Sequence, residues 1–168
     1  MRFLTTAFCS RIEKMGYYID KGQLERLCDS LRANNKTIVT TNGCFDILHV
    51  GHVRYLQKSR TFGDVLIVLL NSDSSVRILK GEGRPINTQD ERAEVLCALS
   101  CVDYVVTFDE QTPISLLEIV KPNIHTKGGD YTLNSLPESD TILKNGGWVE
   151  FIEFVEGKST TKLLDNMK

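Results

Sequence analysis

The sequence predicts an α/β protein: one doubly wound parallel sheet of five strands with helices on both faces. Three observations predict it. Short apolar or β-branched runs alternate along the chain with segments of helical period. One of those runs, "DVLIVLLN" at 64–71, is apolar at every position but its ends, as a strand buried on both faces is. Strands separated by helices need crossover connections, which are right-handed and give parallel neighbours.

Each element has its own local reason. Residues 1–19 carry little pattern and are read as an extension. Residues 20–168 form one domain, with 20–34 an accessory helix and 37–168 a Rossmann-like core. In "DKGQLERLCDSLRANN", Leu24, Leu27, Cys28 and Leu31 repeat at helical spacing, and Asp20 stands where an N-cap belongs. "TIVTTN" (37–42) is a short β-branched strand. "VGHVRYLQKSRTFG" (50–63) reads as a helix stopped by Gly63, and strand 64–71 follows it. In "NTQDERAEVLCALS" (87–100), Thr88 and Glu91 have capping-box spacing. Strand "DYVVTF" (103–108), helix "TPISLLEIV" (112–120) and strand "NIHT" (123–126) come next. A short helix at 137–144 precedes strand "WVEFIEF" (148–154), and a last helix opens at "STTKLL" (159–164). No internal repeat or low-complexity linker interrupts this order.

Bulk properties exclude several classes of function. The net charge of −2 supplies no basic field for nucleic acid or anionic lipid, so any anion must be held by local groups. No run approaches the roughly 18 apolar residues of a membrane span, and "RIEK" follows the short apolar start too closely for a secretory leader. The five cysteines, Cys9, Cys28, Cys44, Cys97 and Cys101, are odd in number and lack metal-knuckle spacing, which suits reduced thiols in a cytoplasmic protein.

The stretch "TTNGCFDILHVGHVRYLQ" (40–57) holds two of the three histidines, His49 and His52. Thr41, Asn42 and Gly43 end the first strand of the core, and His52 falls in the first turn of the next helix. Ligands of such sheets bind beyond the carboxyl ends of the strands, beside the point where the strand order reverses. Helix N-termini there offer free N–H groups and partial positive charge to a phosphate. Gly43 would let the backbone approach closely, and Gly51 leaves no side chain between the imidazoles. The bland alternative is a pair of satisfied histidines at a helix start. Zinc would need a third ligand, and Asp46 is the only near one.

Two further elements point the same way. "EGKSTTKLL" (156–164) puts Ser159, Thr160 and Thr161 at the start of the last helix, more hydroxyls than capping needs. "LKGEGRPIN" (79–87) is a glycine-rich loop with Lys80 and Arg84. Each alone could be a cap or a solvated loop. Together, after three strands of one sheet, they describe a polyphosphate cleft.

"TNGCFDILHVGHVRYL", "NSD", "LKGEGRPIN", "KGGDY" and "STT", in this order, resemble the HxGH nucleotidyltransferases of the cytidylyltransferase-like branch. Within that branch the resemblance is to heptose 1-phosphate adenylyltransferases of surface-polysaccharide precursor synthesis, and it covers roughly residues 20–168. Glycerol-phosphate cytidylyltransferases share HxGH but carry an Arg-Thr pair where this chain has Phe154 and Val155. A sugar kinase often fused to the heptose enzyme has no counterpart in this sequence, which is therefore read as a stand-alone transferase.

The resemblance implies ATP and a sugar 1-phosphate as substrates, magnesium carried by the triphosphate rather than by a protein metal site, and a homodimer. The sugar phosphate oxygen is already an anionic nucleophile, so positioning and charge stabilisation suffice. His49, His52 and Lys80 are the expected catalytic groups. Asn42, Gly43, Cys44, Phe45, Asp46, Gly51, Ser159, Thr160 and Thr161 are expected around the phosphates. Asp46 is read as orienting the loop or a histidine. Lys127, Gly128, Gly129 and Asp130 are expected at the base and ribose, and Arg84 and Arg92 are candidates for phosphate contact. His125, inside a strand, reads as packed. A cytidylyltransferase for another sugar or polyol phosphate, and a nucleotide-binding regulator without turnover, stay open as alternatives.

Overall fold

The computed structural model describes residues 15–129 and 131–153. In chain order the elements are β1 (Tyr17–Tyr18), α1 (Lys21–Ala33), β2 (Ile38–Gly43), α2 (Val50–Arg60), β3 (Val65–Asn71), α3 (Asp73–Lys80), α4 (Gln89–Cys97), β4 (Tyr104–Phe108), α5 (Ile114–Val120), β5 (Ile124–Gly128), α6 (Ser139–Lys144) and β6 (Trp148–Ile152). The strands form one parallel sheet in the order β1-β4-β3-β2-β5-β6. From β2 the chain steps outward to β3 and β4, then returns to add β5 and β6 on the other side. The order reverses between β2 and β5, where Val39, Thr40 and Thr41 face Ile124, His125 and Thr126. That is where a doubly wound sheet opens its ligand crevice.

Two of these elements were not expected. A sixth strand joins the predicted five: β1, whose Tyr17 and Tyr18 pair with Tyr104 and Val105 at the sheet edge. The segment between β3 and α4 is not all loop, because Ser72 caps α3 by accepting from the Ser75 N–H. Lys80 is therefore the last residue of a helix. The expected caps are present: Asp20 and Thr88 each form a reciprocal capping box, with Gln23 and Glu91. Gly63 does not end α2, which stops at Arg60. A Cβ at Gly63 would lie 2.7 Å from Val39 Cγ2 and 2.8 Å from the Thr37 carbonyl, so the glycine lets the chain pass close to β2.

β3 shows why the parallel run had to be apolar throughout. Val65, Ile67 and Leu69 pack on one side with Leu24 and Cys28 of α1, Leu116, Leu117 and Val120 of α5, and Ile142 of α6. Leu66, Val68 and Leu70 pack on the other with Leu56 of α2 and Ala93 and Leu96 of α4. α6 ends in a Schellman turn, the Gly147 N–H reaching the Ile142 carbonyl and the Gly146 N–H reaching Leu143. A Cβ at Gly147 would lie 2.3 Å from the Pro122 carbonyl oxygen, a backbone atom that cannot yield cheaply. Gly147→Ala is expected to lower stability by about 1–3 kcal/mol, read as a fall in thermal midpoint with little change in nucleotide binding.

Candidate active site

The loop from β2 to α2 sets the histidines. His49 is the N-cap of α2, and its Nδ1 accepts from the Gly51 N–H at 3.1 Å. A neutral His49 must then carry its proton on Nε2, which makes that nitrogen a donor. The His52 ring stacks on it, centroids 3.9 Å apart and planes 25° apart. Phe45 meets the His52 ring edge-on, its centroid 5.3 Å away. Phe45 itself sits at φ 44°, a left-handed conformation that bulky residues rarely adopt. Gly43 serves that ring: a Cβ there would lie 3.0 Å from Phe45 Cε2.

Burial lowers the pKa of His52 from 6.5 to about 4, and the neighbouring His49 charge lowers it further still within that shift. The folded pKa thus lies below the unfolded one. Acid favours the unfolded chain at this position, and the associated stability is lost as pH falls from about 6.5 toward 4. At neutral pH His52 is neutral.

Asp46, only 3% exposed, organises the loop that follows α3. Its carboxylate accepts from Arg84 Nε at 2.5 Å, the Ile86 N–H at 2.7 Å and the Asn87 N–H at 3.1 Å, while Asn87 Nδ2 donates to its carbonyl at 2.7 Å. A carboxylate so fully engaged is an orienting group. Arg84 is held at the crevice by this bond, its side chain 20% exposed. A cleft of about 330 Å³ opens beside the loop, walled by Phe45, Asp46 and Leu48 on one side and Asn87, Glu91 and Val95 on the other.

Arg92 differs from the sequence expectation. It is 2% exposed and tied into the scaffold. Nη1 donates to the Cys44 carbonyl at 2.6 Å and the Asn71 carbonyl at 2.8 Å, Nη2 to Asp73 Oδ1 at 2.8 Å, and Nε to the Asn87 carbonyl at 3.1 Å. Four of the five guanidinium donors are thereby taken, and at the wall of the cleft the group ties together the segments that follow β2, β3 and α3, which makes it a structural hub more than a phosphate contact.

Hydroxyls anchor α2 to the sheet. Tyr55 OH lies 2.7 Å from Thr41 Oγ1 and donates to Thr126 Oγ1 at 3.3 Å, and Ser59 Oγ lies 2.9 Å from the same Thr126 oxygen. The cluster bridges α2 to β2 and β5, so the helix carrying the histidines is fixed against the strands that flank the crevice. Across from it, Lys127 Nζ donates to Asn42 Oδ1 at 2.6 Å. Gly128 ends β5 and Gly129 follows it. Lys80 is exposed at the end of α3, near enough for its charge to act on the Cys44 thiol. Burial is the larger influence there and raises that thiol's pKa. His125 is wholly buried, as expected. Asp130, Ser159, Thr160, Thr161 and the last predicted helix lie outside the described residues.

Among the described residues no three His, Cys, Asp or Glu side chains gather as a metal site, and no helix is long and apolar enough to cross a membrane. The crevice thus brings together His49, His52, Asp46, Arg84, Asn42 and Lys127. Tyr55 and Glu138 were not singled out from sequence. A tyrosine within a helix and a glutamate before one carry no local mark of their partners.

The cytidylyltransferase-like family profile matches residues 40–163. The chain belongs to the cytidylyltransferase-like family. It is 54% identical over 136 residues to the bifunctional protein HldE of Geobacter sulfurreducens, a match covering 81% of this chain and 28% of that protein. It is also 54% identical over 149 residues to HldE of Nitratiruptor sp., covering 89% and 31%. The chain therefore spans under a third of the length of these relatives. Among solved structures, the lipopolysaccharide core biosynthesis protein from Thermoplasma volcanium matches with a TM-score of 0.59 and 30% identity, over 73% of this chain and 99% of that one. The pantoate-beta-alanine ligase of Francisella tularensis matches with a TM-score of 0.59 at 15% identity, over 89% of this chain and 76% of that one, and shares the fold alone. The cytidylyltransferase-like span begins at Thr40 on β2 and so includes the histidine pair, Asp46, Arg92 and Lys127.

Proposed function

We propose that the protein is a heptose 1-phosphate adenylyltransferase, joining AMP from ATP to a heptose 1-phosphate and releasing pyrophosphate. The observation that carries the reading is the stacked His49–His52 pair at the point where the strand order reverses. Family membership supports nucleotidyl transfer as the class of chemistry. The motif order from "NGCFDILHVGH" to "STT", the identity to HldE, and a solved relative named for lipopolysaccharide core biosynthesis support the sugar acceptor.

The sugar phosphate oxygen forms a bond to the α-phosphorus as the bond to the bridging oxygen breaks, and pyrophosphate leaves in line. His49 Nε2–H and His52 donate to the α-phosphate oxygens, where negative charge gathers in the transition state. Lys80 bridges phosphates, and the outward guanidinium nitrogens of Arg84 meet the sugar phosphate. The Asn42–Phe45 backbone lines the α-phosphate, Ser159 and Thr160 hold the β- and γ-phosphates, and Lys127 borders the nucleoside. Asp46 is engaged by the loop, so the donor set suits a magnesium ion that enters on the triphosphate oxygens. A cytoplasmic homodimer belongs to the same reading, and light scattering tests its second half.

Pyrophosphate release with magnesium tests the reaction, crossing ATP, CTP, GTP and UTP against heptose 1-phosphate anomers and glycerol 3-phosphate. Turnover with ATP and a heptose 1-phosphate is the expected result. The family's cytidylyltransferase-like character favours a second reading in which CTP and another polyol phosphate react, and that pair would then give the signal. Nucleotide binding without pyrophosphate from any pair would indicate a regulator.

A further inference from the structure

The lysine near the end of β5 is held by a carboxylate from another element. Lys127 Nζ donates to Glu138 Oε1 at 2.7 Å as well as to Asn42, and lies 5.0 Å from the Tyr131 ring centroid. Glu138 is 2% exposed and occupies the N-cap position of α6. A side chain there ordinarily accepts from the helix's own first-turn N–H groups. Glu138 makes no such bond. Its carboxylate turns into the protein, where burial is unfavourable unless a partner offsets it.

The partners form a chain across the strands that flank the crevice. His125 Nε2 lies 3.7 Å from Glu138 Oε1, and its Nδ1 lies 2.8 Å from Thr40 Oγ1. Burial lowers the His125 pKa, so the ring is neutral. A lone pair on Nε2 would face the carboxylate and be repelled, so the ring proton sits on Nε2 and Nδ1 accepts from the Thr40 hydroxyl. Thr40 and His125 are register partners on β2 and β5. The chain Thr40–His125–Glu138–Lys127–Asn42 therefore begins and ends on β2 and crosses the reversal point to β5 in between. An ammonium has three N–H donors, and the contacts to Asn42 and Glu138 use two. The side chain is 12% exposed, at the carboxyl ends of the strands.

We infer that Glu138 is a positioning residue for the nucleotide. It fixes the Lys127 ammonium in the crevice with one donor for the ligand, and the Thr40–His125 pair fixes Glu138 in turn. The inference rests on the reading that the crevice binds a nucleoside triphosphate. It assigns to the segment between β5 and β6 a role in nucleotide affinity, carried by a side chain that does not itself reach the ligand.

The test is calorimetric binding of magnesium ATP by the full chain, with steady-state kinetics, for Glu138→Gln, Lys127→Gln and the double variant. Glu138→Gln is expected to weaken binding about tenfold, the scale of one charge-assisted hydrogen bond, with the change falling on KM for the nucleotide more than on kcat. In the Lys127→Gln background the second substitution should weaken binding no further, because it acts through the lysine. Lys127→Gln strands a buried carboxylate; if it does not fold, the double variant, which removes both charges, must bind at least as weakly as Glu138→Gln. Wild-type affinity in Glu138→Gln, or a lowered thermal midpoint with unchanged affinity, overturns the inference. Additive losses in the double variant overturn it too. Failure of the wild-type protein to bind any nucleoside triphosphate is a different result: it overturns the proposed function, and this inference with it.

Discussion

His52→Ala is expected to lower turnover by about 10²–10³-fold, the effect of losing one donor aimed at developing charge, while the thermal midpoint moves little. The asymmetry follows from the packing. The imidazole lies between His49 and the Phe45 edge with the Ile47 backbone as its hydrogen-bonding neighbour and no bond of good geometry at its buried Nδ1, so its removal breaks no strong anchor. Two rings with centroids 3.9 Å apart cannot both be charged without mutual repulsion, and burial keeps His52 neutral with a pKa of about 4. A bound triphosphate reverses that balance by placing negative charge against both rings. Its binding should raise the His52 pKa and take up a proton wherever the pH lies between the free and bound values. Calorimetry near pH 6 in two buffers of different ionisation enthalpy should show fractional uptake that shrinks toward pH 8, above both values. His52→Ala should lose most of it. An unfolded variant with normal activity per folded molecule, or uptake unchanged by the substitution, would falsify the assignment.

The parts of the fold legible in the sequence are those whose cause is local. "DVLIVLLN" had to be apolar on both faces because helices cover both, and that is visible without knowing which helices. Asp20 and Thr88 bond to backbone three residues on, so their role is written in their spacing. β1 was not legible. Two residues have no period, and their conformation is decided by β4, far along the chain. α3 carried a signal, Ser72 before Asp73, but eight residues ending in a glycine-rich loop are easily read as loop throughout. The site divides in the same way. A histidine pair beyond a strand and before a helix announces itself, and so does a loop-orienting Asp46 beside it. Glu138 does not, because a glutamate before a short helix looks like a cap, and only the fold shows Lys127 as its partner. Arg92 beside a glycine-rich loop looks like a phosphate ligand. Whether it is one depends on how many backbone carbonyls three separate loops leave unpaired, and that exists only in three dimensions.

Arg92 therefore separates the two readings by experiment, and its replacement should have the largest effect on stability of any discussed. Arg92→Met fills much of the volume but leaves the Cys44, Asn71 and Asn87 carbonyls and the Asp73 carboxylate without their donors. Breaking a buried charged hub in this way costs about 3–5 kcal/mol, equivalent to a fall of about 10 °C in thermal midpoint for a domain of this size. Turnover should fall as well, since the Cys44 carbonyl belongs to the loop that carries Phe45 and leads to His49. Arg92→Lys is the sharper comparison. A lysine keeps the charge but presents its donors from one point, and cannot span from the Asn87 carbonyl to Asp73 as a planar guanidinium does. A hub predicts that lysine recovers only a minor part of the lost stability, with KM for both substrates changed less than about threefold while the thermal midpoint falls by about 10 °C. A phosphate ligand predicts the reverse: full stability in either variant, KM raised for one substrate, and substantial rescue by lysine, whose ammonium serves a phosphate well. Thermal denaturation and KM values for the two variants decide it. Four bonds to three loops from a side chain 2% exposed put the expectation on the hub.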